Sequence, residues 1–442
     1  MSSPKQARWL ISELPALIQQ NILDESSASS LENHYRSLAE KKGPNPIFIV
    51  TGILGALLIG AGIISIFAYN WENFGRGLRA FLSIAPLLIA QGFYAYAYFK
   101  KKDSVAWIES TSGFLSLMIA SSIALISQTY NIGGNMADFL WSWMLLTIPL
   151  MYLRNSSLTA MIYLAGITAW TFNVPQSTGE VVKYWGLLAA VIPHLWKNIA
   201  KADSSIRANL LGWASGISFL YTMATLPEWR VEGGGFIAYA LLFGLLYILG
   251  KNYFEQDAFI WKKPYQFIAI AGTFVMGMFF SFESIPMDVS MNEIFLGKRG
   301  SLGFWGPVAN WTNLGISLIC LGGSSFMIWK HLQKAKGLNY FVISFPGLVL
   351  AYVFLGGTGL IAPEIFTVLF NLFILGFGIF YLREGIRQDR LSLVNAGMFM
   401  MSALFIMRFF DQDFSFLVKG IAFLFIGASF LGVNLYLAKK KE

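Results

Sequence analysis

Apolar runs long enough to cross a bilayer follow one another from residue 47 to the end of the chain, with mostly short polar turns between them. A spanning helix needs about 20 predominantly apolar residues. The runs are 47–69, 78–99, 104–127, 137–153, 157–174, 181–199, 206–226, 235–254, 264–283, 307–330, 339–357, 360–382, 391–410 and 415–437. They predict an all-α fold, a polytopic transmembrane helical bundle of about fourteen helices. Twelve is the alternative, since 137–153 and 157–174 are short, join tightly at Asn155-Ser156, and would suit a hairpin that stops short of a full crossing. Lipid offers backbone groups no hydrogen bonds, so a helix that bonds internally is the solution such runs can adopt.

The composition excludes the main rival classes. Only 13% of residues are charged, about half the share in soluble domains, which argues against a soluble enzyme. The single cysteine, Cys320, excludes an intrachain disulfide, and three histidines leave little for a zinc or haem site. Phosphate-loop and HExxH motifs are absent from the sequence. No catalytic residue, cofactor or metal is predicted. The net charge of +8 comes from basic clusters between apolar runs rather than from one basic face, so nucleic acid is not an expected partner.

Residues 1–46 are polar and precede any long apolar run, which does not fit a cleaved secretory signal. Trp9, Leu10, Leu14, Leu17 and Ile18 recur at helical spacing, with Pro15 expected to kink or restart the helix. Asn21 to Asp24 reads as a turn with Asp24 as an N-cap, and Ala28, Leu31, Tyr35 and Leu38 form a second apolar stripe. The chain therefore divides into 1–46, a cytosolic amphipathic helical segment, and 47–442, the transmembrane bundle. The first is too small to bury a good core alone, so it is expected to dock on a protein partner, on another copy, or on its own membrane domain.

Lysine and arginine placement sets the orientation. With the N-terminus inside, outer segments hold only Arg76, Arg79, Lys183, Arg230, Lys298, Arg299, Arg408 and Lys419, and the other 24 of the 32 basic residues fall inside. Both termini are thus predicted cytosolic. The longest outer loop is 284–306.

Packing signals are small residues at four-residue steps, Gly52, Ala56 and Gly60 in one run and Gly212 and Gly216 in another. Pro346-Gly347, in mid-run, would break a helix beside a cavity. Gln91 is expected to make an interhelical hydrogen bond, and His194 to be packed rather than catalytic.

Ionisable residues within the bilayer are candidate functional sites by default. In 104–127, Glu109, Ser112, Ser116 and Ser127 fall within about 60° of one another on a helix and lead to Gln128, Tyr130 and Asn131. Such a stripe would suit a hydrated pathway or a headgroup track. Alternatively, Glu109 pairs with Lys100–Lys102 or snorkels, and the serines serve helix packing. A second cluster gathers at the predicted outer face of the last three runs: Glu364, Asn371, Asn395, Arg408, Asp411, Asp413 and Lys419. Glu364 and Lys419 are placed to pair, and Asn395 is a candidate partner for Asn371. The cluster reads either as a clamp between helices or as a site for an anionic or zwitterionic ligand. At the outer end of the first run, Glu72 is expected to pair with Arg76.

Several segments together resemble a known family. They are Ala68-Tyr69-Asn70-Trp71-Glu72, the run from Ile126 through Gln128-Thr129-Tyr130-Asn131 to Gly134, the aromatic helix with Trp141 and Pro149, and the N-terminal amphipathic segment. They are similar to bacterial predicted membrane proteins catalogued as domain of unknown function 2157. The tail from Val394 to Asn434 resembles the end of that family or of a sister family. The resemblance implies a bacterial inner-membrane location and brings no activity. The function expected is a secondary transporter or flippase-like carrier of a polar or amphiphilic solute. The alternative is a membrane scaffold or sensor that recruits a partner through residues 1–46. An enzyme acting on lipid-linked substrates has least support.

Overall fold

A computed structural model describes residues 4–39, 69, 71–174, 182–200, 206–225, 234–254, 262–282, 322–323, 325–331, 338–356, 360–411 and a few between 420 and 432. Among them there is no strand. Most of the predicted runs 47–69, 307–330 and 415–437 lie outside these residues, with Gly52, Ala56, Gly60 and the 284–306 loop.

The chain forms two compact units, Met1–Phe81 and Leu82–Glu442. In the first, α1 (Pro4–Gln19) and α2 (Glu25–Ala39) pack as a hairpin, burying Leu14 and Ala28. α1 runs through Pro15 without restarting. The turn forms at Asn21, whose φ of 54° is left-handed, a conformation asparagine tolerates. Asp24 caps α2: its Oδ2 accepts from the Ser27 amide at 3.0 Å and from the Ser26 hydroxyl. These hydrogen bonds, the Ser26 hydroxyl first, hold the Asp24 carboxyl well below the usual carboxylate range. Further along, Trp71–Asn73 makes a single 3-10 turn. Arg79 clamps that turn, donating to the carbonyls of Phe74 at 2.8 Å and Glu72 at 2.7 Å. The predicted Glu72–Arg76 pair is replaced by this clamp, because a backbone turn presents two carbonyls within reach of one guanidinium.

The second unit is a bundle. The boundary between the units falls within α3 (Arg76–Lys100). There follow α4 (Val105–Tyr130), α5 (Met136–Leu153), α6 (Ser157–Asn173), α7 (Val182–Leu195) with a π-turn at Trp196–Ala200, and α8 (Ile206–Thr225). Then come α9 (Gly234–Phe254), α10 (Pro264–Phe280), α11 (Leu338–Ala351) with a π-turn at Tyr352–Gly356, α12 (Pro363–Arg387) and α13 (Leu391–Asp411). Among the described residues six helices are long and apolar enough to cross a membrane: Arg76–Lys100, Val105–Tyr130, Met136–Leu153, Phe236–Phe254, Pro363–Arg387 and Leu391–Arg408.

The core runs through α6, α9, α10, α11 and α12, where Tyr163, Trp170, Phe345, Phe370 and Phe377 are fully enclosed. Small residues set the close crossings. A side chain at Gly212 would meet Pro264 at 2.5 Å, and one at Gly216 would meet Ile268 at 2.5 Å, so this pair seats α8 on α10 within the chain. Gly378 and Gly397 bring the backbones of α12 and α13 together: a Cβ on Gly397 would lie 2.5 Å from the Leu382 amide nitrogen. α11 passes through Pro346 unbroken, and its irregularity comes six residues later, at the π-turn.

Candidate functional site

Two polar assemblies in the second unit meet the candidate residues of α4. The first lies where the start of α4 meets the α5–α6 turn, the end of α7 and the start of α8. Asn155 turns the chain with φ 54°, and Ser156 caps α6, accepting from the Thr159 amide at 3.3 Å. The Glu109 carboxylate sits on this helix start. It accepts from the Ser156 hydroxyl at 2.7 Å and from the amides of Ser157 and Leu158 at 3.0 and 2.8 Å. Arg207 of α8 closes the arrangement with an ion pair of 2.6 Å to Glu109 and a hydrogen bond of 2.7 Å to the Asn155 carbonyl. An anion here satisfies free first-turn amides and complements the positive end of the helix. Asn155 and Asn198 add a reciprocal amide pair at 2.8 and 3.0 Å. His194, 1% exposed, packs edge-on against Tyr152, and its ring nitrogens have no hydrogen-bond partner among the described residues.

Glu109 thus neither pairs with Lys100–Lys102 nor snorkels. Its oxygens are committed to four groups. Ser112 and Ser116 are buried beyond it, Ser116 sharing a hydrogen bond with Thr147 at 3.2 Å and accepting from the Trp143 indole at its carbonyl, 2.8 Å away. Between them Gly113 admits Leu158 so closely that a Cβ would lie 2.6 Å away. The predicted stripe therefore does not run as one hydrated face. The half that begins at Glu109 is filled by α5 and α6, because small residues there invite close packing.

The second assembly is a cavity of about 910 Å³ bordered by α3, α4 and α5, near the other end of α4. Ser127 lines it, with Gln91, Ser122, Asn135, Asp138 and Ser142; Leu87, Ile119, Ile123 and Leu146 make its apolar part. Gln91 faces this space rather than bonding a neighbouring helix. Asn135 and Asp138 cap α5 reciprocally: the Asp138 amide donates to Asn135 Oδ1 at 3.0 Å, and the Asn135 amide donates to Asp138 Oδ2 at 3.2 Å. Gln128, Tyr130 and Asn131 are exposed at the end of α4, with Asn131 as its left-handed cap at φ 51°. The capping pair was visible in the sequence as Asn-x-x-Asp ahead of an apolar run. Its position on a cavity was not.

Of the predicted outer cluster, the structure brings together Asn371 and Arg408. Arg408 Nε donates to Asn371 Oδ1 at 3.0 Å, Asn371 Nδ2 donates to the Ser281 carbonyl at 3.1 Å, and the guanidinium lies 5.1 Å from the Phe282 ring centre. Asn395 is not the partner of Asn371. It is exposed near the opposite end of α13, thirteen residues from Arg408, about 20 Å along the helix. Glu364 is exposed in the first turn of α12. Asp411 ends α13, while Asp413 and Lys419, and with Lys419 the expected pairing to Glu364, lie outside the described residues. Among the described residues no three His, Cys, Asp or Glu side chains are grouped to hold a metal.

Apolar helices of membrane-crossing length, with polar groups gathered at helix ends and along one interhelical cavity, define a helical membrane protein. Residues 15–160 match the model of a family described as predicted membrane protein, domain of unknown function 2157 (DUF2157). The match takes in α1 from Pro15 onward, α2, α3, α4, α5 and the start of α6, and so both polar assemblies contribute residues to it. The tail from Val394 lies outside the matched residues. No curated protein and no solved structure matches the chain.

Proposed function

We propose that the protein is a carrier for an amphiphile in a bacterial inner membrane, with residues 1–46 and both termini on the cytosolic side. The cavity between α3, α4 and α5 carries this reading. Its wall combines polar groups of Asn135, Asp138 and Ser142 with the apolar side chains of Leu87, Ile119 and Leu146, which suits a molecule with a polar head and an apolar tail. Its volume of about 910 Å³ falls within the range of roughly 300–1,000 Å³ typical of small-molecule sites. Pro86 in α3 and Pro149 in α5 each remove a backbone hydrogen bond from helices bordering the cavity, which eases the bending a carrier requires.

The test is translocation of a fluorescent amphiphile across proteoliposomes. The wild-type protein accelerates it, and Ser142→Trp, which fills the cavity, abolishes the acceleration while leaving the protein monodisperse. A rate equal to that of protein-free vesicles, or a Ser142→Trp rate equal to wild type, overturns the reading. The scaffold alternative rests on the α1–α2 hairpin, where Trp9 of the apolar stripe stands 63% exposed. Under that reading deletion of residues 1–40 removes the cellular phenotype; under the carrier reading translocation survives it in part.

A further inference from the structure

The cavity wall has a bias in hydrogen-bonding character. Three serine hydroxyls line it, and each donates its proton to a backbone carbonyl: Ser122 to Ser83 at 2.5 Å, Ser127 to Ile132 at 2.9 Å and Ser142 to Asp138 at 2.9 Å. A hydroxyl has one proton and two lone pairs, so each of these oxygens can only accept from a ligand. Among the described residues that line the cavity, Asp138 alone is charged. Its Oδ2 accepts from the Asn135 amide in the α5 cap, while Oδ1 makes no hydrogen bond among the described residues. The side-chain amides of Gln91 and Asn135 can donate as well as accept, but the one charged group on the lining is a carboxylate and the serine oxygens beside it accept, which favours a cationic, donor-rich partner.

We propose that the cavity recognises an amphiphile whose polar end is a primary ammonium group. Such a group is charged at neutral pH, with a pKa near that of lysine, about 10.4. It carries three donors and no acceptor, the complement of Asp138 and the serine oxygens. A quaternary ammonium has the charge without the donors and fits less well. A sulfate or phosphate monoester would set its negative charge against that of Asp138. The inference rests on the carrier reading and narrows its substrate class.

The experiment measures saturable binding to the full-length protein in nanodiscs of phosphatidylcholine. The probes are dodecylammonium, dodecyltrimethylammonium, dodecyl sulfate and dodecyl maltoside. Dodecylammonium is expected to bind most tightly, and Asp138→Asn to weaken it by about tenfold or more, the loss of a charge-assisted hydrogen bond. Asn retains a side-chain oxygen for the Asn135 amide, so the cap and the fold survive. Adding phosphatidylethanolamine to the nanodisc separates two sources of the same chemistry: competition assigns the ammonium to a bilayer lipid, and no competition assigns it to an amphiphile from solution. Unchanged dodecylammonium binding by Asp138→Asn, or equal binding of all four probes, overturns the ammonium proposal while the cavity reading stands. Binding of none of the probes, with translocation absent as well, overturns both.

Discussion

Glu109 of α4 and Arg207 of α8, ninety-eight positions apart in the chain, meet at 2.6 Å over the first turn of α6. The pair is a three-helix junction. Its carboxylate holds the α6 amides, and its guanidinium also grips the Asn155 carbonyl of the preceding turn.

Glu109→Gln keeps the shape and removes the charge. Arg207 is 36% exposed at its side chain, so solvent screening reduces the penalty relative to a fully buried pair, and a loss of about 1–3 kcal/mol is expected. Thermal unfolding in detergent of the two single variants, with Arg207→Gln as the second, and of the double variant checks this. The double variant should lose less than the sum of the two. Strict additivity would show that the two side chains do not act together.

Gly397→Ala should loosen the α12–α13 hairpin, because its Cβ would sit 2.5 Å from the Leu382 amide nitrogen with only backbone to yield. A cost of about 1–3 kcal/mol is expected. Gly347→Ala is the matched control: its Cβ meets nothing within 4 Å, and alanine suits a helix interior better than glycine by about 1 kcal/mol. Equal thermal midpoints for the two variants would contradict the crossing geometry.

Asn371→Leu removes the oxygen that Arg408 Nε donates to and the amide that bonds the Ser281 carbonyl. Two polar groups lose a partner, so a loss of about 1–3 kcal/mol is expected. Asn395→Leu, on an exposed surface of α13, should change stability little. The ordering of these two variants in a denaturation series checks the placement.

Asp24 supports α2 through its carboxylate form. Its folded pKa is depressed below the unfolded value, so the contribution is present at neutral pH and is lost only as acidification takes the pH below the ordinary carboxylate range, near 4. Amide hydrogen exchange at Ser27 and Ala28 in the full chain should stay slow between pH 7 and pH 5, once corrected for intrinsic rates. Asp24→Ala should speed it throughout that range. Protection unaffected by the substitution would remove the cap from the account.

Much of the architecture is written in local pattern. Apolar length marked α3, α4, α5, α9, α12 and α13, because a helix in lipid is defined by its own residues. Asn21 and Asn155 marked turns, since asparagine adopts the left-handed conformation at little cost. Asp24 marked a cap because its carboxylate reaches the free amides of the first turn of α2. Gly212 and Gly216 announced a close approach, but not that α10 would fill it.

The candidate sites were legible only as an inventory. Glu109, needing a partner inside the bilayer, was identifiable as a constrained residue, and Arg207 stood at the start of a run on the same predicted side. Nothing local said that α8 rather than the Lys100–Lys102 turn would supply the cation. Periodicity put Glu109, Ser112, Ser116 and Ser127 on one face of α4, and that face exists. Which part of it is packed and which part borders space depends on Leu158, Thr147 and Trp143 from two other helices. Likewise Asn371 found Arg408 rather than Asn395 because α12 and α13 run antiparallel through Gly378 and Gly397, a register set by backbone contact between the helices. Sequence alone determined the helices, their caps and the scarcity of charge within them, all consequences of hydropathy and backbone preference along one chain segment. Tertiary structure decided which polar groups are satisfied and which line a cavity, because hydrogen bonds and close packing across helices depend on neighbours far away in sequence.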